Sequence, residues 1–194
     1  TRAAAEAAAA EWDKQTDDVR PRTMPVTRAL NTALDRVAPQ IAAVRAELAR
    51  FGESDLLCYR APHPQELAAR QAAAWDPPLA WVRARHGAAL VCAAGVMHVA
   101  QPPESLARLA AVLETRDAFA LAALHELVTL SGSLVLGFAV DEGAIAPADA
   151  WEASRVDERW QTEQWGEDAE AAALEAAKRA DFEAAARLSR LLRA

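Results

Sequence analysis

The chain has 194 residues, 53% of them apolar and 25% charged, with a formal net charge of −7. That length holds one sizeable core or two small ones, and an apolar fraction this rich in alanine leans toward helix. An acidic balance speaks against a nucleic-acid binder, which needs a basic face for phosphates, and equally against an anionic membrane surface.

Residues 3–15 read as an alanine-rich helix in which Trp12 is the one bulky side chain and the expected docking point. A polar connector over 16–24 leads to Pro25, which fits the first turn of a second helix because its missing N–H costs nothing there. Val26, Leu30, Ala33, Leu34 and Val37 recur at helical spacing. Pro39 interrupts or restarts that helix, and Ile41, Val44, Leu48 and Phe51 carry the stripe on to Gly52. Residues 55–60 are expected to be extended, and Ala61-Pro62-His63-Pro64 is not helix interior. A helix follows from Pro64 through Leu67, Gln71 and Trp75. Asp76-Pro77-Pro78 is expected to break or kink it before it resumes toward Gly87. Two short apolar runs around Ala93-Ala94-Gly95 predict a small β-hairpin near 88–100. Pro102-Pro103 opens a helix carrying Leu106, Leu109, Ala110 and Leu113.

Residues 117–140 are almost entirely apolar or small and contain no proline. Asp117 is placed to cap the start, and Asp141-Glu142-Gly143 supplies the stop. A helix apolar on every side is a membrane span or the central rod of a helical domain. An acidic residue near mid-membrane costs about 2.5–3.5 kcal/mol on insertion scales. Glu126 sits well inside the segment, and its acidic flanks lack the basic cluster that orients a span. No membrane insertion is therefore expected. Pro147 begins the next helix, with Trp151, Trp160 and Trp165 on it and Gly166 ending it; Asp168 caps a final alanine-rich helix. The expected fold is mainly α, an orthogonal or irregular helical bundle around a buried central helix over 117–140.

Few residues are arranged for chemistry. Neither GxxxxGK[ST] nor GxGxxG occurs, and His63, His86, His98 and His125 lie in different elements without metal-ligand spacing, so no cofactor and no metal are expected. His125 and Glu126 are adjacent and point about 100° apart on a helix; a hydrogen-bonded buried histidine is the simpler reading, a functional Glu126 the alternative. Cys58 with His63 makes a weak nucleophile and base pair beside the reading of a buried structural cysteine. Two cysteines without CxxC spacing suit a reducing compartment.

The most informative group follows Pro147. Trp151, Glu158 and Trp165 are spaced by seven, which on one continuous helix forms a single stripe. Ala153, Val156 and Trp160 form a second stripe expected to face the core. Asp157, Gln161, Glu163, Glu167 and Asp168 surround the tryptophans, a composition that suits protein contact sites. Core tryptophan beside a solvated acidic face is the competing reading.

Several segments together resemble one family, the assembly chaperones that hold the free α subunit of the F-type ATP synthase. The resemblance rests on Ala9-Ala10-Glu11-Trp12-Asp13, Met24-Pro25-Val26-Thr27 and Asn31-Thr32-Ala33-Leu34-Asp35. It continues through Asp55-Leu56-Leu57-Cys58-Tyr59-Arg60, Gln71, Trp75-Asp76-Pro77, Trp81 and Gly132-Ser133. Its most specific piece is Ser154-Arg155-Val156-Asp157-Glu158-Arg159-Trp160-Gln161 with Gln164-Trp165-Gly166. It implies a non-catalytic chaperone that covers the α subunit until the β subunit displaces it, working as a monomer in the bacterial cytoplasm or, in eukaryotic relatives, the mitochondrial matrix. Residues 1–194 are expected to be a single helical domain, without the family's N-terminal β-rich domain. Glu158 is the expected acidic contact, with Trp151 and Trp165 flanking it and Asp157, Gln161 and Glu163 in support. Trp12, Tyr59, Trp75, Asp76 and Trp81 match family motifs and are expected to hold the fold; loss of a large buried aromatic such as Trp12 would cost about 3–5 kcal/mol. The alternatives are a small-molecule enzyme built on His125 and Glu126, and a membrane-embedded subunit.

Overall fold

The computed structural model describes all residues, Thr1–Ala194. Its helices are α1 (Arg2–Trp12), α2 (Pro25–Thr32), α3 (Ile41–Phe51), α4 (Gln65–His86), α5 (Pro103–Glu114), α6 (Ala118–Ser131), α7 (Leu134–Asp141), α8 (Pro147–Ser154), α9 (Val156–Trp165) and α10 (Ala169–Arg193). The two-residue strands β1 (Tyr59–Arg60) and β2 (Ala93–Ala94) are the whole of the sheet. The fold is mainly α, and no helix is long and apolar enough to cross a membrane.

The apolar rod expected over 117–140 is two helices. Asp117 does cap α6, accepting the Ala120 N–H. Gly132 then takes a left-handed conformation with φ 73, ending α6 with its N–H on the Val128 carbonyl. Ser133 restarts the chain as N-cap of α7, its Oγ accepting the Leu136 N–H at 3.0 Å. A left-handed glycine followed by a hydroxyl cap is a stop and a start in consecutive residues. Folding back lets α7 pack on α6, every residue of α7 being buried. Gly137 makes the close approach possible: a Cβ there would lie 2.5 Å from Val128 Cγ2.

Both ends of α7 are tied down by charge. At its start, buried Asp55 accepts the Val135 N–H through Oδ2 at 3.1 Å and the Leu57 N–H through Oδ1 at 3.0 Å. At its end, Asp141 meets Arg116 Nε at 3.0 Å and Ser189 Oγ at 2.6 Å, which binds the α5–α6 linker and α10 to the same carboxylate. The main core also takes Leu48, Leu57, Trp75, Leu109, Trp151 and Phe182 from the surrounding elements. A smaller core joins Ala4 and Ala7 of α1 to Val26, Ala123 and Leu188.

Four further expectations are corrected. Trp12 is 52% exposed and does not dock α1; neighbouring Glu11 does, its carboxylate accepting the first-turn N–H groups of Val26 and Thr27 at 2.9 and 2.8 Å. Bulk alone does not place Trp12 inside: one helical position from Glu11, its direction is away from the core. The hairpin near 88–100 is absent: β2 pairs in parallel with the distant β1, Tyr59 opposite Ala93. Pro77 and Pro78 do not break α4, which runs unbroken to His86. Its packing on α7, α8 and α9 offsets the two lost N–H donors. Finally, the helix begun by Pro147 is divided at Arg155, whose φ −113 and ψ 17 separate α8 from α9.

Two predictions follow from α7. Gly137→Ala should destabilise by about 1–3 kcal/mol through overpacking against Val128, read as a lower melting temperature with unchanged helical content. Burial lifts the Asp55 carboxyl from 3.8 to about 6, against the pull of the Ser133 hydroxyl and the neighbouring N–H groups. Between those values the folded chain keeps a proton that the unfolded chain has released, so stability falls as pH rises through the window and levels off above it. Relative to Asp55→Asn, the wild type should lose on the order of 3 kcal/mol between about pH 4 and 6, measured by urea unfolding at each pH.

Candidate functional site

The break at Arg155 decides which predicted residues share a surface. Trp151 lies on the α8 side of it and is fully buried, its ring tilted on Phe182 at 5.5 Å between centroids. Glu158 and Trp165 lie on the α9 side, and α9 has no fully buried residue. The stripe of Trp151, Glu158 and Trp165 therefore does not form, because spacing by seven aligns side chains only along one uninterrupted helix. Trp151 is a core residue. Trp160 on the second stripe is only half-buried.

Arg155 locks the corner. Its guanidinium lies over the Trp151 ring, 4.9 Å from the centroid. It donates to Glu158 Oε1 at 2.8 Å, to the Leu130 carbonyl at 2.9 Å and to Ser154 Oγ at 3.1 Å. Buried Gln71 of α4 ties down the first turn of α9, its Nε2 donating to Asp157 Oδ1 at 2.6 Å while its Oε1 accepts the Ala61 N–H at 2.7 Å. Arg70, one residue earlier, pairs with Glu163 at 2.6 Å and covers the Trp160 ring at 4.8 Å. Trp75 Nε1 donates to the Ala153 carbonyl at 2.7 Å, fixing the end of α8 to α4.

With Trp151 in the core, the other predicted site residues fall into three groups. Asp157 and Glu163 hold α9 on α4. Glu158 is exposed and engaged by Arg155 alone. Gln161 and Trp165 are exposed, Trp165 by 79%. Trp165, Gln161 and Trp160 of α9 line a surface groove of about 410 Å³ together with Tyr59, Pro62 and Val96. Beyond β2 the chain leaves Val96 and Met97 95% and 78% exposed. The Tyr59 hydroxyl and His98 Nδ1 hold this loop at 3.2 Å. Sequence reasoning missed Val96 and Met97 because the expected hairpin gave them a partner strand; the signal was two large apolar residues following Gly95 with no alternation to bury them.

The other motif residues lie behind this surface. Arg60 stacks 5.2 Å over Trp75 and pairs with Asp76 at 2.8 Å. Trp81 meets His86 edge-on at 5.5 Å. Around the enzymatic alternative little converges. His125 Nε2 is 3.5 Å from Glu47, and exposed Glu126 lines a cavity of about 80 Å³, below the roughly 300 Å³ at which small-molecule sites begin. Burial pushes the Cys58 thiol far above its ordinary range, opposing a nucleophilic role at neutral pH.

Comparison with known proteins accounts for this arrangement. The model of the family described as ATP12 chaperone protein matches residues 1–83. The crystal structure of Atp12 from Paracoccus denitrificans superposes with a TM-score of 0.96 at 43% identity, over 98% of this chain and 82% of that one. The chain belongs to the ATP12 chaperone family. The Atu1473 protein of Agrobacterium tumefaciens is similar too, with a TM-score of 0.94 at 43% identity, over 99% of this chain and 72% of that one. In this ATP12 chaperone Gln71 is the buried member of the contacts that seat α9 on α4. Gln71→Ala should cost about 1–3 kcal/mol by leaving buried partners unpaired, and amide exchange should speed up in α9 while α6 and α7 stay protected.

Proposed function

We propose that this ATP12 chaperone binds the free α subunit of the ATP synthase catalytic sector and shields it until the β subunit takes its place. The observation that carries the reading is a groove lined by the exposed side chains of Trp165, Val96 and Gln161, with exposed Met97 next to Val96 in the chain and Glu158 sharing the adjoining groove with Gln161 and Trp165. Large apolar side chains left in water at one place mark a protein contact site, and a tryptophan at its edge is the kind of anchor that dominates binding energy. Glu158 supplies the charge, held in place by Arg155 and half open to solvent. Asp157 and Glu163 support the surface by positioning α9.

No catalytic step is needed. An unassembled subunit presents apolar surface that aggregates, covering it lowers that hazard, and a tighter partner releases the client by mass action. The protein acts as a single helical chaperone domain and a monomer, in the cytoplasm of a bacterium or the mitochondrial matrix of a eukaryote.

The test is capture of the isolated α subunit by the wild type and three variants. Trp165→Ala should weaken capture about tenfold or more with little change in melting temperature. Glu158→Lys should weaken it as well and lower stability by no more than about 1 kcal/mol, as expected for an exposed ion pair. Trp151→Ala should instead destabilise by about 3–5 kcal/mol. Normal capture by both Trp165→Ala and Glu158→Lys would rule this surface out, and failure of the wild type to capture the α subunit would remove the proposed client.

A further inference from the structure

The two cysteines, 34 positions apart in sequence, are brought together by the parallel bridge that the sequence did not foretell. Tyr59 pairs with Ala93 and Arg60 with Ala94. Cys58 ends the short 3₁₀ turn Leu56–Cys58 that leads into β1, and Cys92 is the residue before β2, so both cysteines stand at the entry to the same bridge. Neighbouring strands run about 4.8 Å apart. That lies within the range of about 4.4–6.8 Å between Cα atoms that a disulfide spans. Side-chain contacts agree with the placement. Cys92 Sγ lies 3.9 Å from the Leu57 carbonyl, next to Cys58, and 3.9 Å from Arg60 Nη2, two residues further along. The two thiols differ in access: Cys92 is exposed and Cys58 is buried.

We propose that Cys58 and Cys92 are a thiol–disulfide pair that closes into an intramolecular bridge on reaction with a low-molecular-weight disulfide such as oxidised glutathione. The exposed Cys92 thiolate attacks one sulfur of the reagent, forming a mixed disulfide and releasing one glutathione thiol. The Cys58 thiolate then displaces the second glutathione from Cys92. Two cysteine thiols are oxidised to one disulfide and one glutathione disulfide is reduced to two thiols, the protons passing to the leaving sulfurs. The first step meets an open sulfur with a guanidinium beside it. The second waits on a buried thiol that burial holds protonated, so closure is the slow step and speeds up as pH rises. The bridge would join the turn before β1 covalently to the segment that carries Val96 and Met97.

The test uses the native full-length chain, incubated with oxidised glutathione and followed by intact mass and peptide mapping under non-reducing conditions. The wild type should pass through a glutathione adduct to a species lighter by two hydrogens, in which the Cys58 and Cys92 peptides are linked, and the second phase should quicken from pH 7 to 9. Cys58→Ser should stop at the adduct on Cys92, and Cys92→Ser should react far more slowly than the wild type. Two results would overturn the proposal: a wild type that stops at the Cys92 adduct even at pH 9, or one that forms only intermolecular dimers through Cys92. Circular dichroism of each serine variant checks that it is folded, and the wild-type result decides the matter if either variant is not.

Discussion

A helical segment that is apolar all round has no solvent face, so every neighbour must be arranged to cover it. That constraint organises this fold. Left straight, residues 118–141 would need a cover along their full length; turned at Gly132 and Ser133, the second half covers part of the first. The turn brings its own cost, since it places a fresh set of unpaired helix-start amides in the interior. Ser133 takes the Leu136 N–H and Asp55 takes that of Val135. The acid at the start of α7 also opposes the positive end of the helix dipole, which is where a carboxylate is favoured. At the other end Asp141 stands at the wrong pole of that dipole, and Arg116 beside it supplies the compensating charge.

The same logic extends outward to the candidate site. α9 has too little apolar surface to hold itself down by burial, and none of its residues is fully buried. It is held by directional contacts: Arg155 at the corner, Gln71 at the first turn, Arg70 toward the far end. A helix seated this way keeps its outer side chains free. Trp165 and Gln161 remain in solvent because positioning is done by Asp157, Glu163 and the backbone around Ser154.

This division of labour explains what was legible in the sequence and what was not. Helix starts were readable, because Pro25, Pro103, Asp117, Pro147 and Asp168 act through local rules that need no knowledge of the rest of the fold. The family resemblance was readable for a similar reason, since motif residues keep their order along the chain. Direction was harder. Trp12 and Trp151 are the same residue type in similar helical surroundings, and they ended on opposite sides of the surface. Their fates were set by Glu11 turning inward to cap α2 and by the break at Arg155, both decided by residues far away in sequence. The β1–β2 bridge was out of reach altogether: two strands of two residues carry no periodicity, and their pairing closes a loop of more than thirty residues.

The cost of exposure sharpens the meaning of this apolar surface. Val96, Met97 and Trp165 are the most exposed large apolar side chains in the protein, ahead of Trp12 on α1 and Leu174 on α10, and they cost the isolated chain apolar hydration that alanine, common at exposed positions of those two helices, would avoid. A protein whose work is to cover another must present surface of this kind while staying folded and dispersed itself. The net charge of −7 serves the second requirement by mutual repulsion between copies, and the directional seat of α9 serves the first, because it holds Trp165 outward without drawing it into a core.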